Sequence, residues 1–402
     1  MSNLRFHKYL PLAIIYFFIN VPPFFPAGLL VTSILSPAFY FWLLLKHRRF
    51  VIEMFLVVMF PFAFANAIQG MKVTDFVPSF LLLFTVYITV YTFALAINEM
   101  RNLDHLIRTV IWLNLGLAII GLAVRFTHYV TFMWMTPEDS SSTTLRFKGF
   151  TSEPSLYSTL LTPLFLYSYW LVARKRNWYT VCLFLATSIP LLMSLSFGTI
   201  GGLAISLVTV YLVGGRGFTR YKWILAIGVV AAVGYFALPS SNPIKARVVN
   251  MITGNDGSEQ IRTSASYLAA YGEAKSKDIW FGAGLGETKD IGRTYMNWDI
   301  SSSNPHLASA IAETFGEMGI LGLALRFFLE FFFFFRTKPY KDPYRLSLFI
   351  WIFVFQFGGS FKDNLGEYVI WILAFSKSAG FFSTPEPAAE AELPMGIVPQ
   401  LT

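Results

Sequence analysis

The clearest structural signal in this chain is Val77-Pro-Ser-Phe-Leu-Leu-Leu-Phe-Thr-Val-Tyr-Ile-Thr-Val-Tyr-Thr-Phe-Ala-Leu-Ala-Ile97, a run without one charged residue. It is long enough to cross a bilayer as a helix, and similar runs recur nearly end to end along the 402 residues. Charged residues make up only 13% of the chain, about half the fraction usual in soluble domains, and the mean hydropathy is +0.56. The sequence therefore predicts an all-α polytopic membrane protein.

Hydropathy predicts about twelve transmembrane helices in a single domain over residues 1–382. Their boundaries lie near 9–23, 26–45, 50–68, 77–97, 105–126, 156–173, 178–196, 199–213, 223–238, 306–335, 346–359 and 365–381. Two long loops, 128–155 and 239–305, belong to the same domain. Residues 383–402 are rich in Pro, Ala and Glu and are predicted to form a disordered cytoplasmic tail.

Basic residues alternate between the two sides of this predicted bundle. One side holds Arg5, Lys8, Lys46, Arg48, Arg49, Arg101, Arg174, Lys175, Arg176, Arg216, Arg220, Lys222, Arg336, Lys338, Lys341 and Arg345. The short loops of the other side hold only Lys72 and Lys362. The positive-inside rule places the first set and both termini in the cytoplasm, and both long loops outside. The net charge of +8 is thus a topology signal, and nucleic acid is not an expected partner.

The shorter outer loop contains Leu145-Arg-Phe-Lys-Gly-Phe-Thr-Ser-Glu-Pro-Ser155, which runs into a predicted helix. Proline is well tolerated at a helix start, and a glutamate there favours the positive end of the helix dipole. Glu153 can therefore be a capping residue. It can equally be a carboxylate beside Arg146 that acts as a base or orients one. The two interpretations are compatible.

The longer outer loop is predicted to contain a helix that ends near Lys277. Its apolar stripe consists of Ile261, Ala265, Leu268 and Ala269. Arg262 lies off the centre of this stripe, and Arg247 precedes the helix. Arginine suits a diphosphate because its planar fork makes paired hydrogen bonds and stays charged, although a solvated position is the default for either arginine alone.

The segment Gly282-Ala-Gly284-Leu-Gly286 in the same loop suggests a nucleotide-binding loop at first sight. Such a loop needs a surrounding strand–turn–helix unit, and the sequence predicts none here. We expect instead that the glycines permit a tight turn that returns the loop over the bundle.

His306 begins the predicted span that contains Glu313 and Glu317. A histidine at a membrane boundary is usually an interfacial residue, but a neutral imidazole can also accept a proton from a sugar hydroxyl. Two carboxylates inside a span need partners or water. The sequence therefore predicts a hydrated cavity open to the outside, with Arg125 as one possible partner.

These residues resemble the family of bacterial O-antigen polymerases and O-antigen ligases over roughly residues 140–330. The resemblance rests on three short motifs in order. They are Arg146-x-x-Gly149 with Glu153-Pro154-Ser155, then Ser258-x-x-x-Arg262 with Gly282-x-Gly284-x-Gly286, then His306 with Glu313 and Gly319-x-x-Gly322. The family often has Asn directly after the histidine, whereas Leu307 follows here.

The resemblance implies a helical membrane glycosyltransferase of the GT-C type that uses undecaprenyl-diphosphate-linked glycans as donor and acceptor. Neither a nucleotide sugar nor a metal is required. Arg146 and Arg262 would bind the diphosphate and stabilise its departing charge, with Arg247 as an auxiliary contact. His306, or else Glu153, would activate the acceptor hydroxyl. No cofactor is expected.

The first hypothesis is therefore a polymerase of lipid-linked repeat units in the bacterial inner membrane, which builds O-antigen or a related polysaccharide. Its site faces the periplasm, and membrane lipids and a chain-length regulator are its expected partners. One alternative is an O-antigen ligase that transfers glycan to lipid A-core. The alternative from another class is a transporter or flippase of the same lipid-linked glycan, although no inverted repeat is visible in the sequence.

Overall fold

The structure is a computed structural model that describes residues 11–13, 15–16, 31–47, 51–70, 72–100, 102–135, 145–213, 245, 249, 261–288 and 307–382. It is mostly helical, at 80%. In chain order the helices are α1 (Val31–Trp42), α2 (Val51–Ile68), α3 (Val73–Glu99), α4 (Leu103–Val124), α5 (Val130–Met133), α6 (Pro154–Arg174), α7 (Trp178–Ser194), α8 (Phe197–Val213), α9 (Ser266–Lys277), α10 (Ala310–Thr337), α11 (Pro343–Phe355) and α12 (Leu365–Phe375).

Four of these helices, α3, α4, α6 and α10, are long and apolar enough to cross a membrane. Six shorter apolar helices accompany them: α1, α2, α7, α8, α11 and α12. Each of the ten coincides with one predicted span, as expected for an all-α membrane-embedded protein. The predicted span 223–238, most of the span 9–23 and the tail 383–402 lie outside the described residues.

Short turns and a small hairpin connect the helices. Two are π-helical turns (Leu43–His47 and Ile261–Ala265), and two are 3-10 turns (Pro339–Lys341 and Lys377–Ala379). In the predicted loop 128–155, β1 (Trp134–Met135) pairs antiparallel with β2 (Arg146–Phe147). The hairpin is a small departure from the predicted all-α fold.

Helix α6 lies at the centre of the bundle and packs against α7, α8, α11 and α12. Its buried surface carries short hydroxyl side chains that bond across helix interfaces. The pairs are Ser158 Oγ with Thr199 Oγ1 (2.7 Å) and Ser168 Oγ with Thr187 Oγ1 (2.8 Å). Small hydroxyl residues allow close helix approach and satisfy each other without water. The first pair ties the beginning of α6 to the beginning of α8.

Contacts between distant residues define two ends of the bundle. At one end, the Arg345 guanidinium donates to the carbonyl oxygens of Thr337 and Ala374, each 2.9 Å away. At the other end, the Lys72 amide donates to Glu287 Oε1, 3.4 Å away. Helix α10 runs from one end to the other. Arg345 and Lys72, which the charge pattern assigned to opposite sides, thus lie at opposite ends.

Helix α10 is broken at Gly319, where φ is 66°, although the sequence predicted one continuous span over 306–335. The chain at 279–284 fills the break, because it pairs with the backbone groups that the helix leaves unbonded. The hydrogen bonds are Ala283 N to Gly316 O (2.9 Å), Gly284 N to Glu317 O (3.0 Å), Ile320 N to Ile279 O (3.0 Å) and Leu321 N to Trp280 O (3.0 Å). The predicted turn at Gly282, Gly284 and Gly286 has positive φ at all three glycines.

Gly319→Ala is expected to destabilise the protein by about 2–4 kcal/mol. A side chain costs about 1–2 kcal/mol at positive φ, and the added Cβ would overlap the Trp280 backbone. The matched control is Gly201→Ala in α8, where a Cβ meets nothing within 4 Å. This control should be neutral or stabilise by up to about 1 kcal/mol. Thermal unfolding of the two purified variants checks this, and equal midpoints would contradict a structural break at Gly319.

Candidate functional site

Arg146 lies on β2, and its Nε donates to the carbonyl oxygen of Ser194, 3.3 Å away. The hairpin is anchored by the next residue, Phe147, whose buried ring packs edge-on against Tyr157 at a centroid distance of 5.2 Å. Burial also lowers the pKa of the nearby Lys148 ammonium. The hairpin therefore fixes Arg146 beside the last residue of α7.

Arg262 lies in the π-helical turn that leads directly into α9. Its Nη1 lies 3.9 Å from the place where a Cβ on Gly198 would stand. Gly198 is the second residue of α8, so Arg262 lies beside the N-terminal end of that helix, where the dipole is positive. The connection between α7 and α8, residues 194–198 (the 194–198 turn), is thus approached by Arg146 and Arg262, two of the three arginines assigned to the diphosphate from the sequence.

Glu153 occupies the N-cap position of α6, with Pro154 at the first helical position. Its carboxylate caps no backbone amide and instead accepts a hydrogen bond from Ser155 Oγ, 2.8 Å away. One turn further on, Ser158 bonds to Thr199 in the first turn of α8. Glu153 therefore belongs to the same end of the bundle as the 194–198 turn, and its side chain remains available as a carboxylate.

Arg247 and His306 lie outside the described residues, so the structure does not locate them. The chain resumes at Leu307, which is fully buried against Ala269 and Ala270 of α9. The next amide, of Ala308, donates to Ser266 Oγ, 3.2 Å away. The start of the predicted span 306–335 is therefore attached to the helix that follows Arg262.

The apolar stripe predicted for α9 is partly wrong. Leu268, which the stripe includes, is 68% exposed, whereas Ala269 is 1% exposed. The buried face consists of Ser266, Ala269, Ala270, Glu273 and Ala274. Small residues dominate this face because α9 packs closely on α10. On α10, Gly316 has no side chain, and this leaves room for the Glu273 carboxyl. The helix itself is as predicted.

Glu313 and Glu317 are 1% and 2% exposed, which corrects the predicted hydrated cavity. Their partner is Lys362, whose Nζ lies 3.4 Å from Glu313 Oε1 and 3.0 Å from Glu317 Oε2. The same Nζ lies 3.3 Å from Asp363 Oδ2. The suggested partner, Arg125, instead stacks over the Trp134 ring at 5.2 Å. Lys362 was not predicted from the sequence as the partner of these carboxylates. The charge pattern identified it only as one of two basic residues in the short outer loops.

Glu273 joins these groups through Thr288, whose hydroxyl lies 2.8 Å from Glu273 Oε1 and 3.1 Å from Glu317 Oε1. Burial, with the neighbouring Glu317 charge, raises the pKa of Glu273 well above its usual range. Burial opposes the charge of Lys362, but the carboxylates around it raise the pKa of this ammonium well above its usual range. We call Glu273, Glu313, Glu317, Lys362 and Asp363 the Lys362 cluster.

A second buried group lies deeper along α10. Arg326 pairs with Glu330, 3.2 Å away, and with Glu367 of α12, and it also donates to Gln356 Oε1 at 2.8 Å. Both carboxylates of this group contact Arg326, and Gln356 bonds to both Arg326 and Glu330, so the group links α10, α11 and α12. The sequence does contain a signal for this group, the i,i+4 pair Arg326 and Glu330 inside an apolar helix, but the group was not predicted from it.

Within the described ranges, no group of three or more His, Cys, Asp or Glu side chains is arranged to hold a metal ion. The one cysteine, Cys182, lies in α7 and is half-buried. The side chains described at the site present guanidinium groups, a hydroxyl and a carboxylate.

Comparison with known proteins identified no family model and no significantly similar curated relative for the chain. The resemblance over residues 140–330 accordingly stands on its short motifs alone. Its long apolar helices identify the chain as a mostly helical, membrane-embedded protein.

Proposed function

We propose that the protein is a glycosyltransferase that polymerises lipid-linked oligosaccharide repeat units. The observation that carries this proposal is the approach of Arg146 and Arg262, from two separate outer loops, to the 194–198 turn. Arg146 lies beside the last residue of α7, and Arg262 lies beside the N-terminal end of α8. Two guanidinium groups around this turn suit a ligand with several negative charges, because both stay charged and both can make paired hydrogen bonds. A diphosphate has that charge and that shape.

In the proposed reaction, the growing glycan leaves undecaprenyl diphosphate and joins a sugar hydroxyl of the incoming repeat. The bond between the anomeric carbon and the diphosphate oxygen breaks, so negative charge grows on the leaving group. Arg146 and Arg262 stabilise that charge, and Arg247 assists. The acceptor hydroxyl loses a proton to a base. Glu153 is a candidate for this base, and His306 is the other.

The proposal extends to the setting of the enzyme. We assign it to the bacterial inner membrane with about twelve spans in a GT-C-type arrangement, both termini in the cytoplasm and the site on the periplasmic face. This topology is supported by the charge pattern and by the contacts of Lys72 and Lys362. The Lys72 amide donates to Glu287 of the longer outer loop, and Lys362 contacts Glu317, which also accepts the Gly286 amide of that loop. A ligase is the alternative within the same chemistry, with lipid A-core as acceptor.

One observation favours a different class of function, transport of the lipid-linked glycan. Broken helices with buried charges are common at the substrate sites of transporters, and α10 is broken at Gly319 beside Glu317. Here, however, the 279–284 segment pairs the backbone groups of the break. Those groups are thus already bonded within the protein, which makes this break a poor substrate site.

The experiment that tests the proposal uses purified full-length protein in detergent with synthetic undecaprenyl-diphosphate-linked repeats. A polymerase is expected to produce a ladder of longer lipid-linked glycans, because elongation needs no membrane to cross. A transporter gives no ladder, and a ligase gives product only when lipid A-core is added. Absence of elongation with folded protein and the cognate repeat would overturn the proposal.

A further inference from the structure

The Lys362 cluster contains more buried negative charge than positive charge. Its four carboxylate residues are between 1% and 4% exposed, and one ammonium group, itself 6% exposed, lies among them. The nearby ammonium of Lys277 is already matched by Glu287, 2.9 Å away. Ionised carboxylates at this depth are strongly unfavourable without a compensating positive charge. At least one carboxylate of the cluster is therefore expected to carry a proton.

The hydrogen bonds around Thr288 favour Glu273 as this carboxylate. Glu317 Oε1 receives the Gly286 amide (3.1 Å) and lies 3.3 Å from Lys362 Nζ, so this oxygen is an acceptor. Thr288 has a single hydroxyl proton, yet its oxygen is within hydrogen-bond distance of both Glu317 and Glu273. If Thr288 donates to Glu317, the contact with Glu273 is satisfied only when Glu273 is the donor.

Two further carboxylate oxygens indicate that the cluster has too few hydrogen-bond donors for its acceptors. Asp363 Oδ1 and Glu317 Oε2 are buried and receive no hydrogen bond within the described residues, although Lys362 lies 3.0 Å from the second. In addition, a Cβ on Gly316 would overlap Glu273 Oε2, which shows that this carboxyl lies directly against α10. A charged Glu273 would thus face the backbone of α10 and the carboxylates of Glu313 and Glu317.

We propose that Glu273 is a proton-binding site that holds α9, and with it Arg262, against α10. Arg262 lies in the turn immediately before α9, so displacement of α9 moves it from the 194–198 turn. The charged groups around Glu273 are Glu313 and Glu317 on α10, Lys362 and Asp363 in the segment before α12, and Lys277 and Glu287 at the end of α9 and beyond it.

The sign of the pH effect follows from the direction of the shift. The unfolded chain releases this proton near the usual pKa of 4.5, whereas burial raises the pKa of Glu273 in the folded protein. The folded state therefore binds more protons in the range between the two values. The stabilisation is complete below about pH 4.5 and is lost as the pH rises through the raised pKa of Glu273.

The test is infrared spectroscopy of the purified full-length protein as a function of pH. We expect a carbonyl band of a buried protonated carboxylic acid at neutral pH, which disappears in Glu273→Gln and persists in the control Glu287→Gln. Hydrogen exchange in residues 266–277, corrected for intrinsic rates, should rise with pH in the unaltered protein. It should rise less in Glu273→Gln, because an amide cannot ionise.

A missing band at neutral pH, or a band that survives Glu273→Gln and disappears in Glu317→Gln, would overturn the proposal. Equal pH dependence of exchange in the unaltered protein and in Glu273→Gln would do so as well. The consequence for activity, a loss as the pH rises, rests on the proposed function of Arg262. The infrared and exchange readouts do not, so the two proposals can fail separately.

Discussion

Arg262→Ala is expected to lower the rate of glycan elongation about 100-fold or more while the protein remains folded in the membrane. The residue lies next to the N-terminal end of α8, beside the turn that Arg146 also contacts. Removal of a donor that stabilises growing charge on a leaving group typically costs about 100- to 1000-fold in rate. The measurement is the ladder of lipid-linked products in detergent, and in cells the length distribution of lipopolysaccharide.

The controls separate charge from geometry. Arg262→Lys keeps the charge but loses the planar fork, so its rate should fall between those of Arg262→Ala and the unaltered protein. Arg125→Ala removes an exposed arginine that stacks on Trp134, outside the proposed site, and should leave elongation nearly unchanged. Normal long-chain ladders in Arg262→Ala would exclude Arg262 from the diphosphate site. In that case the approach of both arginines to the 194–198 turn would be purely structural.

Lys362→Met is expected to destabilise the protein by about 3–5 kcal/mol, the largest effect on stability that we expect from a single substitution. Methionine has a similar length and no charge, so packing changes little while the Glu313 and Glu317 carboxylates lose their cation. Leaving buried charges without their partner typically costs about this much. Thermal unfolding in detergent and the yield of membrane-inserted protein measure the effect.

Lys277→Met provides the matched control for this prediction. Lys277 also pairs with a carboxylate, that of Glu287 at 2.9 Å, but its side chain is 21% exposed. Solvent screens such a pair, so the loss should be only about 1 kcal/mol. Adding Glu313→Gln to Lys362→Met should recover part of the stability, because it removes one uncompensated charge. Equal unfolding midpoints for the two lysine variants would contradict the central position of Lys362.

The positions of the helices follow from the sequence because each depends only on local hydropathy. The run 77–97 is one example, and it becomes α3 (Val73–Glu99) with ends only a few residues away. The helix at 266–277 was also predicted from its local pattern. Its buried face was not, since Leu268 is exposed and Glu273 is buried. Which face is covered depends on α10, and no local pattern contains that information.

The pairing of charges could not be read from the sequence for the same reason. Glu317 and Lys362 meet only because α10, α11 and α12 fold back on each other, and hydropathy does not specify that arrangement. The cost of buried charge predicted that Glu313 and Glu317 need partners or water, and the structure gives them a partner, Lys362, in place of the predicted hydrated cavity. Arg125, the possible partner named from the sequence, stacks over Trp134 instead.

The break at Gly319 also imposes an order on the biogenesis of the protein. Residues 279–284, which complete the broken helix, leave the ribosome before α10 and are available when it emerges. Lys362, which neutralises Glu313 and Glu317, is synthesised only afterwards. The first part of α10 therefore cannot reach its final environment during its own translocation. Its two carboxylates gain their cation only when the segment between α11 and α12 is in place.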